Sequence, residues 1–139
     1  MLYGRYRHNV DAKGRMFVPA KFREKLGEGF VAAAVLDKCI CLYSISEFEE
    51  LLAGIAALPM TQGRELMRQL TPNAEDVTPD AQGRILLPKH LLAYAGIEKE
   101  AMVIGVGKRA EIWNPEYLEA TTQKLTPEAL EEAFMKLGF

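Results

Sequence analysis

The stretch Asp11-Ala12-Lys13-Gly14-Arg15 returns as Asp80-Ala81-Gln82-Gly83-Arg84, sixty-nine residues further along the chain. The echo continues downstream, where Pro19 corresponds to Pro88 and Gly27 to Gly96 at the same spacing. Five residue types that hold their distances across such an interval mark one supersecondary unit built twice. Each phrase reads as a tight turn, because Asp bonds the backbone two residues on and Gly accepts positive φ. Pro19 and Pro88 then suit the N1 position of a short helix, and Gly27 and Gly96 suit the position that ends it.

Working outward, residues 3–10 alternate Arg5, Arg7 and Asn9 with Tyr6, His8 and Val10, the period of a half-buried strand. Met16-Phe17-Val18 is β-prone, and Phe22 and Leu26 give the first helix an i, i+4 apolar stripe. The second unit follows the same plan through Val77-Thr78, Ile85-Leu86-Leu87 and a helix holding Leu91, Leu92 and Ala95. Apolar strands are expected at 31–35 and 102–106, each followed by another, 38–43 against 108–113, and then by a helix. Ser46 with Glu49 has capping-box spacing, and Asn114 before Pro115 is an N-cap followed by N1. The join carries a helix near 46–55, a break at Pro59 and a helix near 62–70. Thr126 and Pro127 open a last helix, whose Leu130, Phe134 and Leu137 form a stripe that must dock on its own fold or on a neighbouring subunit. The expected division is a first half over 1–60, a connecting helix over 61–75, a second half over 76–124 and a C-terminal helix over 125–139.

With 139 residues and 49% hydrophobic side chains, the chain has one domain's worth of core. The apolar runs 31–36 and 101–106 are too short to span a bilayer. The opening Met1-Leu2-Tyr3-Gly4-Arg5 has no apolar signal core, so a cytoplasmic location is expected. Cys39 and Cys41 read as small buried hydrophobes in a strand, and His8 and His90 have no acid or Cys at ligand spacing, so no metal is expected. No catalytic residue set, glycine-rich phosphate loop or cofactor fingerprint is present, and no small-molecule substrate, cofactor or enzymatic activity is expected.

Charge is divided unevenly. Residues 1–25 hold seven basic and two acidic side chains, a net of +5, which leaves −7 on the rest of a chain whose total is −2. A local positive end points to a negatively charged partner. The planar fork of arginine suits phosphate or a base edge. Arg15 is the first candidate for such contact, with Lys13, Arg5 and Arg7 near it in sequence and no acid expected to neutralise it. Arg84, among Gln82, Asp80 and Asp76, reads first as structural and only second as a DNA contact. Asp11, Gly14, Asp80, Gly83, Pro19 and Pro88 are the structural residues of the motif.

These motifs resemble the MraZ family of bacterial transcriptional regulators. The resemblance rests on Tyr3-Gly4, on Asn9-Val10-Asp11 through Lys13-Gly14-Arg15 to Val18-Pro19, on Asp80 through Gly83-Arg84-Ile85-Leu86-Leu87-Pro88, and on Glu111-Ile112-Trp113. It covers roughly residues 3–120. It implies an α+β fold: an AbrB/SpoVT-like swapped-hairpin (double-split) β-barrel formed by two tandem pseudo-symmetric halves, with flanking helices. It further implies a nucleoid-associated homo-oligomeric ring that binds direct repeats of double-stranded DNA in the promoter of the cell-division and cell-wall operon, its own gene included. The family's Asp-x-x-x-Arg hairpin contacts DNA, which carries over to Arg15 with Lys13, and to Arg84 more weakly because Gln82 replaces the lysine. A competing expectation is an antitoxin-like interaction module on the same barrel, in which the stripe Leu130, Phe134, Leu137 grips a protein partner.

Overall fold

The computed structural model describes residues 1–139. The first half runs β1 (Arg5–Asn9), β2 (Arg15–Phe17), α1 (Ala20–Leu26), β3 (Phe30–Ala33), β4 (Ile40–Ser44) and α2 (Ile45–Ala56). Helix α3 (Met60–Leu70) and one 3-10 turn (Thr71–Asn73) lead into the second half. There β5 (Glu75–Val77), β6 (Arg84–Leu86), α4 (Lys89–Ala95), β7 (Glu100–Gly105), β8 (Ala110–Trp113) and α5 (Pro115–Thr122) repeat the order, and α6 (Pro127–Met135) ends the chain.

Local chemistry sets most of these boundaries. Asn114 Oδ1 accepts from the amides of Glu116 and Tyr117, and Thr126 caps α6 through the Ala129 amide. Two expected caps differ. Helix α2 starts earlier than the Ser46–Glu49 pairing implies, because Ser44 Oγ takes the Glu47 amide and supplies the cap itself. Pro19 and Pro88 stand one position before the helix rather than at N1, with extended backbone and carbonyls that accept the first helical amides. Gly96 closes α4 in the left-handed region at φ 66°.

Strand pairing crosses between the halves. A six-stranded antiparallel sheet runs β1-β7-β8-β4-β3-β5, and β2 pairs only with β6 in a separate two-stranded ribbon. Thus β1 lies on β7, β5 lies on β3, and each half's turn-flanking strands find their partners in the other half. The pattern survives exchange of the halves. Met16 faces Ile85, its own repeat counterpart, and Cys41 faces Glu111, its counterpart at an offset of seventy. Phe30 opposite Val77 is mirrored by Ala101 opposite His8.

The fold is therefore mixed α/β with an antiparallel sheet, and no sheet closes into a barrel. The ribbon strands are three residues long and pair as strands only with each other. Side chains join them to the sheet instead. One core of 20 buried residues includes Met16 and Ile85 from the ribbon, Ile40, Leu42 and Ile112 from the sheet, and Phe22 and Leu91 from the repeated helices. Because neither half encloses this core alone, hydrophobic burial couples the two. Helix α6 is different: it buries no residue, and Leu130, Phe134 and Leu137 are all exposed. Within the chain Phe134 of the stripe packs edge-on against Phe139, and none of the three is buried.

Candidate nucleic-acid interface

The first turn is built around one carboxylate. Asp11 Oδ1 accepts from the amides of Lys13 (2.9 Å) and Arg15 (2.8 Å), while Oδ2 accepts from Arg15 Nε at 2.8 Å. The second turn repeats this bond for bond: Asp80 Oδ1 takes the Gln82 and Arg84 amides at 2.9 Å, and Oδ2 takes Arg84 Nε at 3.0 Å. Gly14 and Gly83 both sit at φ 86°, where an L side chain is strained. The Arg15 amide above all, helped by the Arg15 side chain and the Lys13 amide, holds the Asp11 carboxyl below its ordinary range. Asp80 is lowered in the same way, first by the Arg84 amide.

This geometry corrects the expectation that Arg15 carries an unneutralised charge. Both arginines are paired with the aspartate of their own turn, and the two copies are equivalent as hairpins. What the pairing does is orient. With Nε held by a carboxylate, each guanidinium is fixed in direction, and its terminal nitrogens make no bond within the chain. A donor fork fixed beforehand loses less freedom on binding.

The alternation of the ribbon sends Met16 and Ile85 into the core and leaves Arg15, Phe17, Arg84 and Leu86 on its outer face. Arg15 stands opposite Leu86, and Phe17 opposite Arg84. Phe17 is 47% exposed and Leu86 59%, so two apolar side chains alternate with two aspartate-held arginines on one surface. These two were absent from the sequence-based candidates, although period-two counting from Arg15 puts Phe17 on the same face. A two-stranded ribbon of this kind fits the major groove of B-DNA.

Beside the first turn an open groove of about 1770 Å³ runs along β1 toward α5. Arg5, Arg7 and Asn9 face it from the exposed side of β1, and Lys13, Lys89 and Lys99 also line it. Arg5, Arg7 and Lys13 thus share a groove that Arg15 does not line. Its charge is mixed, however. Glu98, Glu100, Glu116 and Glu119 line the same groove, and Arg7 Nη1 pairs with Glu100 Oε2 at 3.1 Å. The acids of the second half offset part of the basic N-terminal segment, and β1 meets them because its strand partner is β7. At the second turn the residues in the places of Arg5, Arg7 and Lys13 are Ala74, Asp76 and Gln82.

The cysteines are free and buried, with Sγ atoms 4.0 Å apart. Glu111 lies close to both, which spacing along the chain did not reveal. Its carboxylate is engaged: Arg109 donates to Oε2 from Nε and Nη2, and Trp113 Nε1 donates to Oε1. A buried acid paired with a cation and an indole satisfies itself, and the group reads as a structural ion pair.

The MraZ family, described as "MraZ protein, putative antitoxin-like", matches this chain twice, over residues 1–71 and 70–137, in keeping with the doubled unit. A transcriptional regulator MraZ from Acetivibrio thermocellus is 42% identical over 142 residues, covering 99% of both chains. Another from Thermoanaerobacter sp. strain X514 is 46% identical over 121 residues, 86% of this chain and 85% of its own. One from Heliobacterium modesticaldum is 42% identical over 139 residues, covering 99% of this chain and 96% of its own. With the repeat matched in both halves and relatives this similar along nearly their whole length, the chain belongs to the MraZ family.

Proposed function

We propose that this protein is a non-enzymatic transcriptional regulator that binds double-stranded DNA through the outer face of the β2–β6 ribbon. The observation that carries the reading is the pair of aspartate-held arginines, Arg15 and Arg84, displayed with Phe17 and Leu86 on one exposed ribbon. In this reading the arginine forks meet base edges or phosphates. Lys13, Arg5 and Arg7, whose charge is not spent within the turn, supply the salt-sensitive attraction. The names of the relatives support regulation of transcription. The strand exchange between halves supports an AbrB-like swapped-hairpin origin. In that reading residues 1–60 and 76–124 act as one DNA-binding unit, joined through 61–75 and followed by the C-terminal helix over 125–139.

The targets we propose are direct repeats in the promoter of the cell-division and cell-wall operon, upstream of the protein's own gene, read by a ring of identical chains in the nucleoid. One ribbon with a few cations binds weakly, since non-specific binding is typically about 10⁻⁴–10⁻⁶ M at physiological salt. Several ribbons on one ring would meet successive repeats at raised effective concentration. Repeats about ten base pairs apart would stand on one side of the duplex. A mobility shift with the upstream region tests this: Arg15→Ala should weaken the complex while the chain stays folded. Unchanged binding at moderate salt would overturn the assignment.

The exposed stripe of Leu130 and Phe134 on α6 with Leu137 just beyond it favours a second reading, an interaction module of the antitoxin type. Recovery of a stoichiometric foreign protein with the purified chain, without DNA retention, would support it.

A further inference from the structure

Each turn glycine is covered by a side chain from the opposite half. A Cβ on Gly14 would stand 3.2 Å from Leu92 Cδ1, and one on Gly83 would stand 2.8 Å from the guanidinium carbon of Arg23. Arg23 and Leu92 occupy the same position of the repeat, sixty-nine residues apart. The strand exchange puts them there. The Val18 amide donates to the Gly83 carbonyl at 3.2 Å, and the Leu87 amide to the Gly14 carbonyl at 2.9 Å, so each half's helix starts beside the other half's turn. Arg23 is then held by its own Nε, which donates to the Val18 carbonyl at 3.1 Å. It forms no ion pair within the chain, unlike Arg7, Arg15, Arg84 and Arg109.

The two turns have thus traded a cation. The first carries Lys13 in its loop and a hydrocarbon, Leu92, over its glycine. The second carries neutral Gln82 in its loop and Arg23 over its glycine. Since Asp80 neutralises Arg84 as Asp11 neutralises Arg15, the second hairpin without Arg23 has no net positive charge of its own. We propose that Arg23, lent by the first half, is the DNA-phosphate contact of the second turn and makes both hairpins binding elements. This rests on the DNA-binding reading above and goes beyond it by assigning the second hairpin's charge to a residue outside the repeated phrase.

The test is salt-dependent fluorescence anisotropy on the full chain with a duplex of the region upstream of its gene. The set comprises wild type, Arg23→Leu, Arg23→Lys and the double variant Arg23→Leu/Gln82→Lys, which copies the first turn's arrangement onto the second. One phosphate contact adds about 0.9 to the slope of log K against log salt. Arg23→Leu should lower the slope by about that amount per engaged chain, losing roughly 3.5-fold less affinity than wild type between 50 and 200 mM salt. Arg23→Lys keeps the charge without the Nε bond to Val18, and should retain the slope; the double variant should restore it. A wild-type slope in Arg23→Leu would overturn the proposal while leaving the DNA reading intact. So would loss of slope in Arg23→Lys and in the double variant with a matching fall in Tm, which would make Arg23 a clamp on the turn. Absence of salt-dependent binding by wild type would overturn the DNA reading itself, and this proposal with it.

Discussion

Met16 and Ile85 face each other at the centre of the β2–β6 ribbon, each only 1% exposed, and each is the other's counterpart in the repeat. The contact belongs to neither half alone, so the core cannot be divided at the repeat boundary. Met16→Ala should cost about 2–5 kcal/mol, the usual range for emptying a fully buried site. Denaturation followed by fluorescence and by circular dichroism should still give one coincident transition, because the halves have no separate cores to retain. Two separated transitions would contradict the shared core.

The turn glycines separate by what lies over them. A methyl group on Gly14 would come within 3.1 Å of the Leu87 carbonyl, which is backbone and cannot step aside. On Gly83 the nearest atoms are the far end of Arg23, a flexible side chain. Both substitutions carry the strain of positive φ, more than about 0.4–1 kcal/mol. Gly14→Ala should therefore lower Tm more than Gly83→Ala, and thermal melts of the two variants check the order.

Acid should loosen the turns. Asp11 and Asp80 have carboxyls lowered by the amides and guanidinium they accept from, so the unfolded chain binds their protons first as pH falls. Their contribution is complete above the unfolded value near 4 and is lost as pH drops through the lower folded value. The double variant Asp11→Asn/Asp80→Asn should show a flatter stability curve over that window than wild type. Urea midpoints measured from pH 6 down to pH 3 give the comparison.

His8 behaves with the same sign at higher pH. Burial lowers its imidazole below the ordinary value, and Nε2 is buried without a partner. The unfolded chain takes the proton more readily, so stability is complete above about pH 6.5 and falls as pH drops through that value toward the folded one. His8→Phe should remove this slope between pH 7 and pH 5, read from the same midpoints.

The repeat was legible because turns are local. Asp, Gly and Arg within five residues announce a hairpin, and the shared offset announces two; the exposed Arg5-Arg7-Asn9 face of β1 follows from its alternation. What the chain concealed was nonlocal or geometric. No pattern in residues 15–17 names 84–86 as their partner, so the separate ribbon beside the six-stranded sheet was not legible. The Asp11–Arg15 pair spans a turn, where i, i+4 spacing carries no periodic signal, and this is why Arg15 read as unneutralised. Glu100 reaches Arg7, and Arg23 reaches Gly83, only through the exchange of strands and helices between halves.

The proposed place of DNA binding is the outer face of the β2–β6 ribbon. Anisotropy titrations of the upstream duplex with wild type and the double variant Arg15→Ala/Arg84→Ala test it most directly, with Tm measured on both. The double variant should lose selectivity for the upstream duplex over an unrelated one, with residual salt-dependent binding from Lys13 and Arg5 and a folded chain. Undiminished selectivity in the folded double variant would contradict it.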